Sequence, residues 1–513
     1  MIDFTQVCRM PPREHQKIGA NKLFESPFFM LADEMGAGKT KQVIDAAQML
    51  YHEGIIHRVI VIAPASVVGV WFDQELGELA KHLWEGSPSR VFKYRGKIEY
   101  WDWHVIGDHY LRWVITNFEF IRSKERLQKL LFAADQKTLL VIDESSYVKS
   151  SGAAQTRSCQ KLRKRCGRIV LLNGTPVSHS PMDMFSQGNL MHEKILECNT
   201  KTHFKARYAS MSPVLSRRGN PLKSPRGFAI TKISEWKNLE DLQARFAPYV
   251  LRRLKKDCLD LPPKLDPVTL EVALTKATWT KYQEMKKELV AWLSENSVAS
   301  ASQAGVKVIR MAQLCAGFVG GVENWGDNGP EDAEPQEVSH EKLEFIKEWV
   351  SNRYDEDPNE KLLIWCRFRP ELERLYNHLA GDTSLLPVKI GKLWGSQKSE
   401  ERQDSLRLLH PDGGIEGPAI LIGTPATGAF GLNLSGAHTV MYTSNDVKLA
   451  VRLQSMDRVH RPGQKYPVSY FDVIATGPNG ERTIEHAIAA ALRRKEDLAN
   501  WTCSAWIKAL EEE

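Results

Sequence analysis

Nine short runs of apolar and β-branched residues punctuate this chain, many of them separated by stretches with helical spacing. "FFMLA" (28–32), "VIVIAP" (59–64), "WVITNF" (113–118), "TLLVIDE" (138–144) and "RIVLLNGTP" (168–176) form one set. "LLIWC" (362–366), "AILIGT" (419–424), "TVMYTS" (439–444) and "VSYFDVIA" (468–475) form another. A strand apolar at nearly every position has both faces buried, the condition of a parallel sheet covered by helices on each side. Two such sets, far apart in sequence, predict an α/β fold of two parallel-sheet lobes. The 513 residues suffice for about three domains with cores of their own.

Residues 186 to about 340 read differently. "WTKYQEMKKELVAWLSEN" (279–296) has helical spacing, and "GVENWGDNGPEDAEPQEVSH" (321–340) carries six acids and no Lys or Arg, the pattern of a flexible linker. The net charge of +6 is uneven: Lys201 to Lys256 holds 14 Lys/Arg against Glu235, Glu240 and Asp241. So local an excess points to a polyanionic partner. No run of about 18 apolar residues predicts a membrane span. The start, "MIDFTQVCRMPPREHQ", lacks the apolar core of a signal peptide. Eight cysteines without a C-x-x-C pair point to reduced thiols inside a cell and away from zinc.

The chemistry concentrates in "FFMLADEMGAGKTKQVIDAAQML", where a buried-type strand runs into a glycine loop and then a helix with Val43, Ala47 and Leu50 on one face. Backbone N–H groups around Gly36 and Gly38 can wrap phosphates at that helix N-terminus. Lys39 can reach the β/γ-phosphates and the Thr40 hydroxyl can hold Mg²⁺. The usual pattern G-x-x-x-x-G-K-[ST] is broken at its first position, where Asp33 stands. "TLLVIDESS" ends a strand of the same set in Asp143 and Glu144, one acid for a metal's water shell and one to orient or deprotonate the attacking water.

Read in order, "PREHQKIGA", "DEMGAGKTKQ", "VIAPASVVGVWFDQE", "LLVIDESS", "LLNGTPVSHSPMDMF", "YVLRRLKKDCLDLPPK", "LLIWCRF", "GLNLSGAHTV" and "RLQSMDRVHRPGQ" resemble the Swi/Snf-type branch of superfamily two helicase-like ATPases. The resemblance covers roughly residues 10 to 495, and that branch writes its loop D-E-M-G-x-G-K-T. It implies two RecA-like lobes with ATP held by Asp33, Glu34, Met35, Gly36, Ala37, Gly38, Lys39 and Thr40. By the same resemblance Gln16 and Arg13 contact the base, and Gly431 and Gln454 complete the site. Arg458 and Arg461 become arginine fingers; Lys39, Asp143 and Glu144 complete the catalytic set, with Mg²⁺ on Thr40 and Asp143. Gly174, Thr175 and Pro176 couple nucleotide to track. Pro64, Ala65 and Asn117 of the first lobe, and Gly395, Ser396 and Thr424 of the second, contact DNA phosphates; Arg217 and Arg218 lie in the basic stretch. The chain departs from the branch at Ser146 (commonly His), at Ala37 and Ala429 (often Leu and Gly), and at Val447-Lys448-Leu449, where Trp-Asn-Pro is usual.

The implied division is a first ATP-binding lobe over 1–185 and a basic helical protrusion and link over 186–270. A second helical protrusion with the acidic linker follows over 271–340, then a second lobe over 341–482 and a brace helix with a tail over 483–513. The implied activity is an ATP-dependent translocase or remodeller acting on double-stranded DNA without sequence preference, with ATP and Mg²⁺ as ligands. A monomer is expected, with no membrane partner, in the cytoplasm of a bacterium, with its nucleoid or during phage infection. The rival readings are a strand-separating or fork-remodelling helicase, and an ATP-dependent DNA clamp that does not translocate.

Overall fold

Strand propensity and chain order produce two separate parallel sheets. The computed structural model describes residues 8–65, 67–73, 77–94, 109–174, 180–214, 221–222, 227, 229–295, 301–320, 334–395, 397, 399–411, 415–428 and 432–494. Thr175, Pro176, Arg217, Arg218, Ser396, Ala429 and Gly431 lie outside them, as do 321–333 of the acidic stretch and the brace beyond 494. The chain divides after Leu259 into two compact units.

The first unit contributes β1 (Phe28–Leu31), β2 (Arg58–Ala63), β3 (Ser89–Lys93), β4 (Leu111–Asn117), β5 (Thr138–Ile142), β6 (Arg168–Leu172) and β9 (Val250–Leu251) to one sheet. Its order is β3-β4-β2-β5-β6-β1-β9, and every pairing is parallel. Because side chains alternate across a strand, neighbours fall into different cores. Phe29, Leu31, Val59, Val61, Leu139 and Val141 join one. Met30, Ile60, Ile62, Leu140 and Ile142 join the other. Helices α1 (Glu14–Glu25) and α2 (Lys39–His52) cover the former face; helices Lys124–Ala133, Ala154–Arg163 and Met182–Met191 cover the latter.

The apolar face foreseen for α2 is too narrow. Residues 41–50 are all buried, including Lys41, Gln42, Asp45 and Gln48. A helix enclosed on all sides must pair its polar groups, and here Lys41 pairs with Asp45 at 2.7 Å. The Gln48 side chain accepts from Trp84 N at 2.7 Å. The basic stretch also differs from a purely helical reading: β7 (Ala209–Pro213) and β8 (Thr231–Trp236) form an antiparallel pair there.

In the second unit, β10 (Val268–Ala273), β13 (Lys361–Trp365), β14 (Lys389–Leu393), β15 (Ala419–Gly423), β16 (Thr439–Tyr442) and β17 (Ser469–Thr476) form a six-stranded parallel sheet, ordered β10-β17-β16-β13-β15-β14. Alternation again splits the core, with Leu362 and Ile364 on one face and Leu363 and Trp365 on the other. Strand β10 straddles residue 270, where the link was expected to give way to a second helical protrusion. Helices Lys276–Glu295 and Ala301–Cys315 follow it, and Tyr282, Met311 and Leu314 pack with Ala475 of β17. Residues 484–494 are helical. Their Glu485 carboxylate takes Lys342 Nζ at 2.8 Å and Ala475 N at 2.8 Å, so the start of the brace is anchored in this unit. Among the described residues no helix is long and apolar enough to cross a membrane.

Candidate active site

In a parallel sheet all strands end at one edge, and that edge gathers the candidate residues of the first unit. Strand β1 delivers Ala32 and Asp33 there, and the loop that follows turns through Gly36 (φ 82°) and Gly38 (φ 79°) into α2. Both glycines occupy left-handed backbone that residues with a Cβ rarely adopt. At Gly38 a Cβ would also come within 2.3 Å of Gln16 Nε2, so the Gln16 amide lies directly on the end of the loop. Gln16 Oε1 accepts from Arg13 N at 3.0 Å, and His15 Nε2 donates to the Ala37 carbonyl at 3.0 Å. Helix α1 thereby fixes the loop's far side. Lys39 Nζ donates to the carbonyls of Asp33 at 2.7 Å and Glu34 at 3.2 Å. Thr40 is half-buried in the first turn of α2, where the helix dipole favours an anion.

The residue that breaks the phosphate-loop pattern has a structural task. Asp33 is fully buried. Its Oδ1 accepts from Arg253 Nε at 2.9 Å, and its Oδ2 from Arg253 Nη2 at 2.5 Å and Gln42 Nε2 at 3.1 Å. Neighbouring Arg252 donates from Nη1 to the carbonyls of Ala32 at 2.8 Å and Gly174 at 2.7 Å. Glu34 N donates to the Arg253 carbonyl at 2.9 Å, and Glu34 Oε2 accepts from Lys255 N at 2.8 Å. A Cβ at Gly36 would meet the Lys255 side chain at 3.0 Å, and one at Gly174 would meet Met35 at 2.5 Å. The stretch from β9 to Lys255 is therefore the outer wall of the loop. Sequence reading took "YVLRRLKKDC" as a connector and missed Arg252, Arg253 and Lys255. The available signal was a pair of arginines directly after an apolar Val-Leu.

Asp143 follows β5, two strands from β1. Its carboxylate is buried, with Oδ2 accepting from the Trp71 indole at 2.7 Å and Oδ1 from Glu144 N at 2.9 Å. Burial raises its pKa, opposed by the Trp71 hydrogen bond, the Lys39 charge and the Glu144 amide. Trp71, from "VVGVWFDQE", is a second residue that sequence reading passed over; only its place in a helix after β2 brings it under Asp143. Glu144 has left-handed backbone (φ 52°), which costs a residue with a Cβ about 1 kcal/mol or more. The next residue, Ser145, joins motifs: its Oγ donates to Gln187 Oε1 at 2.5 Å and accepts from Asn173 Nδ2 at 3.2 Å. Asn173 directly precedes Gly174, so the two strand-end motifs share one buried network. Ser146, where the family commonly has His, has no part in it.

Of the residues proposed to meet DNA, Pro64, Ala65 and Asn117 lie at the same edge, after β2 and at the end of β4. Pro64 is buried and Ala65 exposed, while Asn117 Oδ1 accepts from Phe120 N at 2.7 Å to hold its own turn. In the second unit, Gly395 and Thr424 follow β14 and β15. Gly395 is exposed; Thr424 is buried with its hydroxyl on Thr427 at 2.6 Å. Gln454 lies on helix Leu449–Met456, and Arg458 and Arg461 lie in the turns just beyond it. That helix is fixed by Arg452, which pairs with Asp472 at 2.6 Å and covers the Tyr442 ring at 3.4 Å. Arg461 Nη1 donates to the Leu432 carbonyl at 2.7 Å. The Gln464 amide ties the turn together, donating to Ala437 O at 2.7 Å and accepting from Lys465 N at 2.9 Å.

A model of the SNF2-related domain matches residues 22–316, and one of the helicase conserved C-terminal domain matches residues 341–463. The chain belongs to the SNF2-related family. Its two parallel-sheet units are the two RecA-like lobes of a helicase-like ATPase core. Lys39, Asp143 and Glu144 fall in the SNF2-related match, and Arg458 and Arg461 in the helicase C-terminal one. The chain is 26% identical to the TATA-binding protein-associated factor MOT1 of Saccharomyces cerevisiae over 95% of its length but 27% of the relative's. It is 23% identical to an uncharacterized ATP-dependent helicase, MG018, of Mycoplasma genitalium over 98% of its length and 43% of the relative's. This SNF2-related chain thus spans about a quarter to under half of these curated relatives. Among solved structures, the SWI2/SNF2 ATPase core of Sulfolobus solfataricus in complex with dsDNA matches 98% of this chain and 95% of that one, at 21% identity and a TM-score of 0.40.

Proposed function

We propose that this SNF2-related chain is an ATP-driven translocase on double-stranded DNA. The observation that carries the reading is the shared edge of the first sheet. The Gly36–Gly38 loop, Lys39 and Asp143 lie there beside Pro64, Ala65 and Asn117, so nucleotide groups after β1 and β5 and backbone-contacting groups after β2 and β4 hang from one edge of the same sheet. The Ser145–Asn173–Gln187 network gives one physical link between the motif that holds Asp143 and the motif that begins at Gly174.

The residues fit ATP and Mg²⁺. The loop's amides and Lys39 suit phosphates, and a carboxylate offers about four acceptor positions, of which Trp71 and Glu144 take two at Asp143. One hydroxyl, Thr40, and one carboxylate form the thin protein ligand set Mg²⁺ uses when phosphates supply the rest. A bound Mg²⁺ would neutralise charge on the transferring phosphoryl group. Glu144 orients or deprotonates the attacking water, and Arg458 and Arg461 stabilise the charge that develops at the transition state.

Turnover measured against duplex DNA, single-stranded DNA and RNA tests the reading. Duplex is expected to give the largest stimulation, with movement scored by displacement of a third strand from a triplex. Equal turnover with and without nucleic acid overturns it. Stimulation without displacement favours the clamp, and separation of a forked duplex favours the helicase.

A further inference from the structure

The first unit carries a cavity of about 880 Å³ that shares no residue with the phosphate loop or the strand ends beside it. Helices Ala154–Arg163 and Met182–Met191 line it, together with the start of helix Lys201–Tyr208. The first two cover the sheet face opposite to α2.

Its charge is one-sided. Arg157, Lys161 and Lys164 recur at i, i+4 and i+7, the spacing that puts side chains on one side of a helix. Arg163 and Lys201 bring the lining cations to five, against one carboxylate, Glu193. Among the described residues none of the five makes an ion pair; Arg157 spends one N–H on the Gly152 carbonyl, and Arg163 spends two, on the carbonyls of Met191 and Cys166. Like charges crowded around a concavity focus a positive potential in it. Elsewhere in the unit some helix cations are neutralised within a turn, as Lys41 is by Asp45 and Lys129 by Glu125.

Ser186 supplies an independent sign of a ligand. It lines the cavity, is only 1% exposed, and its Oγ has no hydrogen-bond partner. A buried hydroxyl without a partner is uncommon and calls for one. Several uncompensated cations with a hydroxyl donor are the groups that hold phosphate oxygens.

We propose that this cavity is a second phosphate-binding site, which holds the backbone of a nucleic-acid strand apart from the nucleotide loop. The site does not depend on whether the protein hydrolyses ATP or translocates. It takes charge and shape, not base identity, so occupancy is independent of sequence and steeply salt-dependent.

Lysine acylation, read by mass spectrometry on the full chain, tests this directly. A short DNA duplex is expected to slow modification of Lys161, Lys164 and Lys201 several-fold, while Lys129 on the neighbouring helix is unaffected. Lys161→Gln with Lys164→Gln should flatten the slope of log affinity against log salt by about two units, at ~0.9 per phosphate contact, and leave ATP affinity unchanged. Unprotected lysines, or an unaltered slope, would overturn the proposal. Tripolyphosphate is the second arm: protection by it alone, with none by DNA, overturns the strand reading in favour of a free polyphosphate. The footprint uses the unaltered protein, so a misfolded variant does not decide the outcome.

Discussion

Asp33 and Arg253 stand 220 residues apart in sequence and meet through two charge-assisted hydrogen bonds, with the carboxylate wholly out of solvent. Pairing of this kind stabilises a loop only while both partners are present. Arg253→Ala leaves the buried Asp33 carboxylate without its counter-charge, still held by Gln42, and is expected to cost ~3–5 kcal/mol. Asp33→Gly together with Arg253→Leu restores the common loop glycine, removes both charges, and should cost far less than Arg253→Ala alone. Denaturant unfolding of Asp33→Gly, of Arg253→Leu and of the double gives the coupling energy; additive costs would show that the two residues act independently.

Trp71→Phe keeps an aromatic ring at this buried position and removes the N–H that Asp143 accepts, together with part of the indole's packing volume. A hydrogen bond to a charged group contributes ~1.5–3 kcal/mol, so the Mg²⁺ concentration for half-maximal turnover should rise about tenfold. Loss of the bond also raises the Asp143 pKa further above its ordinary value. The carboxylate must be ionised to hold a metal, so the acid limb of the pH–rate profile should move to higher pH. For stability the direction is opposite. A carboxyl held above its unfolded value binds its proton more tightly in the folded protein, so its contribution is present at low pH and fades as pH rises through the folded value. Titration of Mg²⁺ at several pH values checks both effects, and an unchanged Mg²⁺ requirement would remove Trp71 from the mechanism.

Ser145→Ala removes the hydroxyl shared by Gln187 and Asn173, both nearly inaccessible to solvent. Leaving buried amide groups short of a partner costs ~1–3 kcal/mol. If the network transmits between the two motifs, ATP affinity should hold while the ratio of DNA-stimulated to basal turnover falls. The measurement is steady-state phosphate release with and without duplex; an unchanged ratio would confine Ser145 to stability.

Lys39→Ala and Arg461→Ala should fail in different ways. Lys39 belongs to the loop itself, so its loss weakens nucleotide binding as well as turnover. Arg461 belongs to the second unit and is assigned to the transition state, so its loss should lower turnover by about 10³ with little effect on ATP affinity. Equilibrium nucleotide titration alongside phosphate release separates the two, and near-normal hydrolysis by Arg461→Ala would pass the finger role to Arg458.

All nine strands visible as apolar runs are present, and within the two parallel sheets only the edge strands went unread. β3 and β9 flank the first sheet; β10 and β14 flank the second. An interior strand is buried on both faces and advertises itself, whereas Ser89–Lys93, Val268–Ala273 and Lys389–Leu393 are partly exposed and carry charged residues. The site divides along the same line. Gly36, Gly38, Lys39 and Asp143 were legible because phosphate chemistry restricts residue type at fixed local spacing. Trp71, Ser145 and Arg253 were not, because each acts on a residue brought near only by the order of strands. Nothing local in "VVGVWFDQE" or "YVLRRLKK" states which carboxylate waits across the sheet.

That order of strands also imposes a schedule. The first sheet closes on β9, and the loop at Asp33 has its ion pair only when Arg253 has been made. At ~5–20 residues per second the ribosome needs roughly 10–40 s to travel from one to the other. For that interval the strand and glycine loop of a nucleotide pocket exist without their wall, and a nascent chain cut off before residue 250 should never bind ATP with full strength. Maturation of the ATP pocket is thereby timed to completion of the first unit, however early its signature sequence leaves the ribosome.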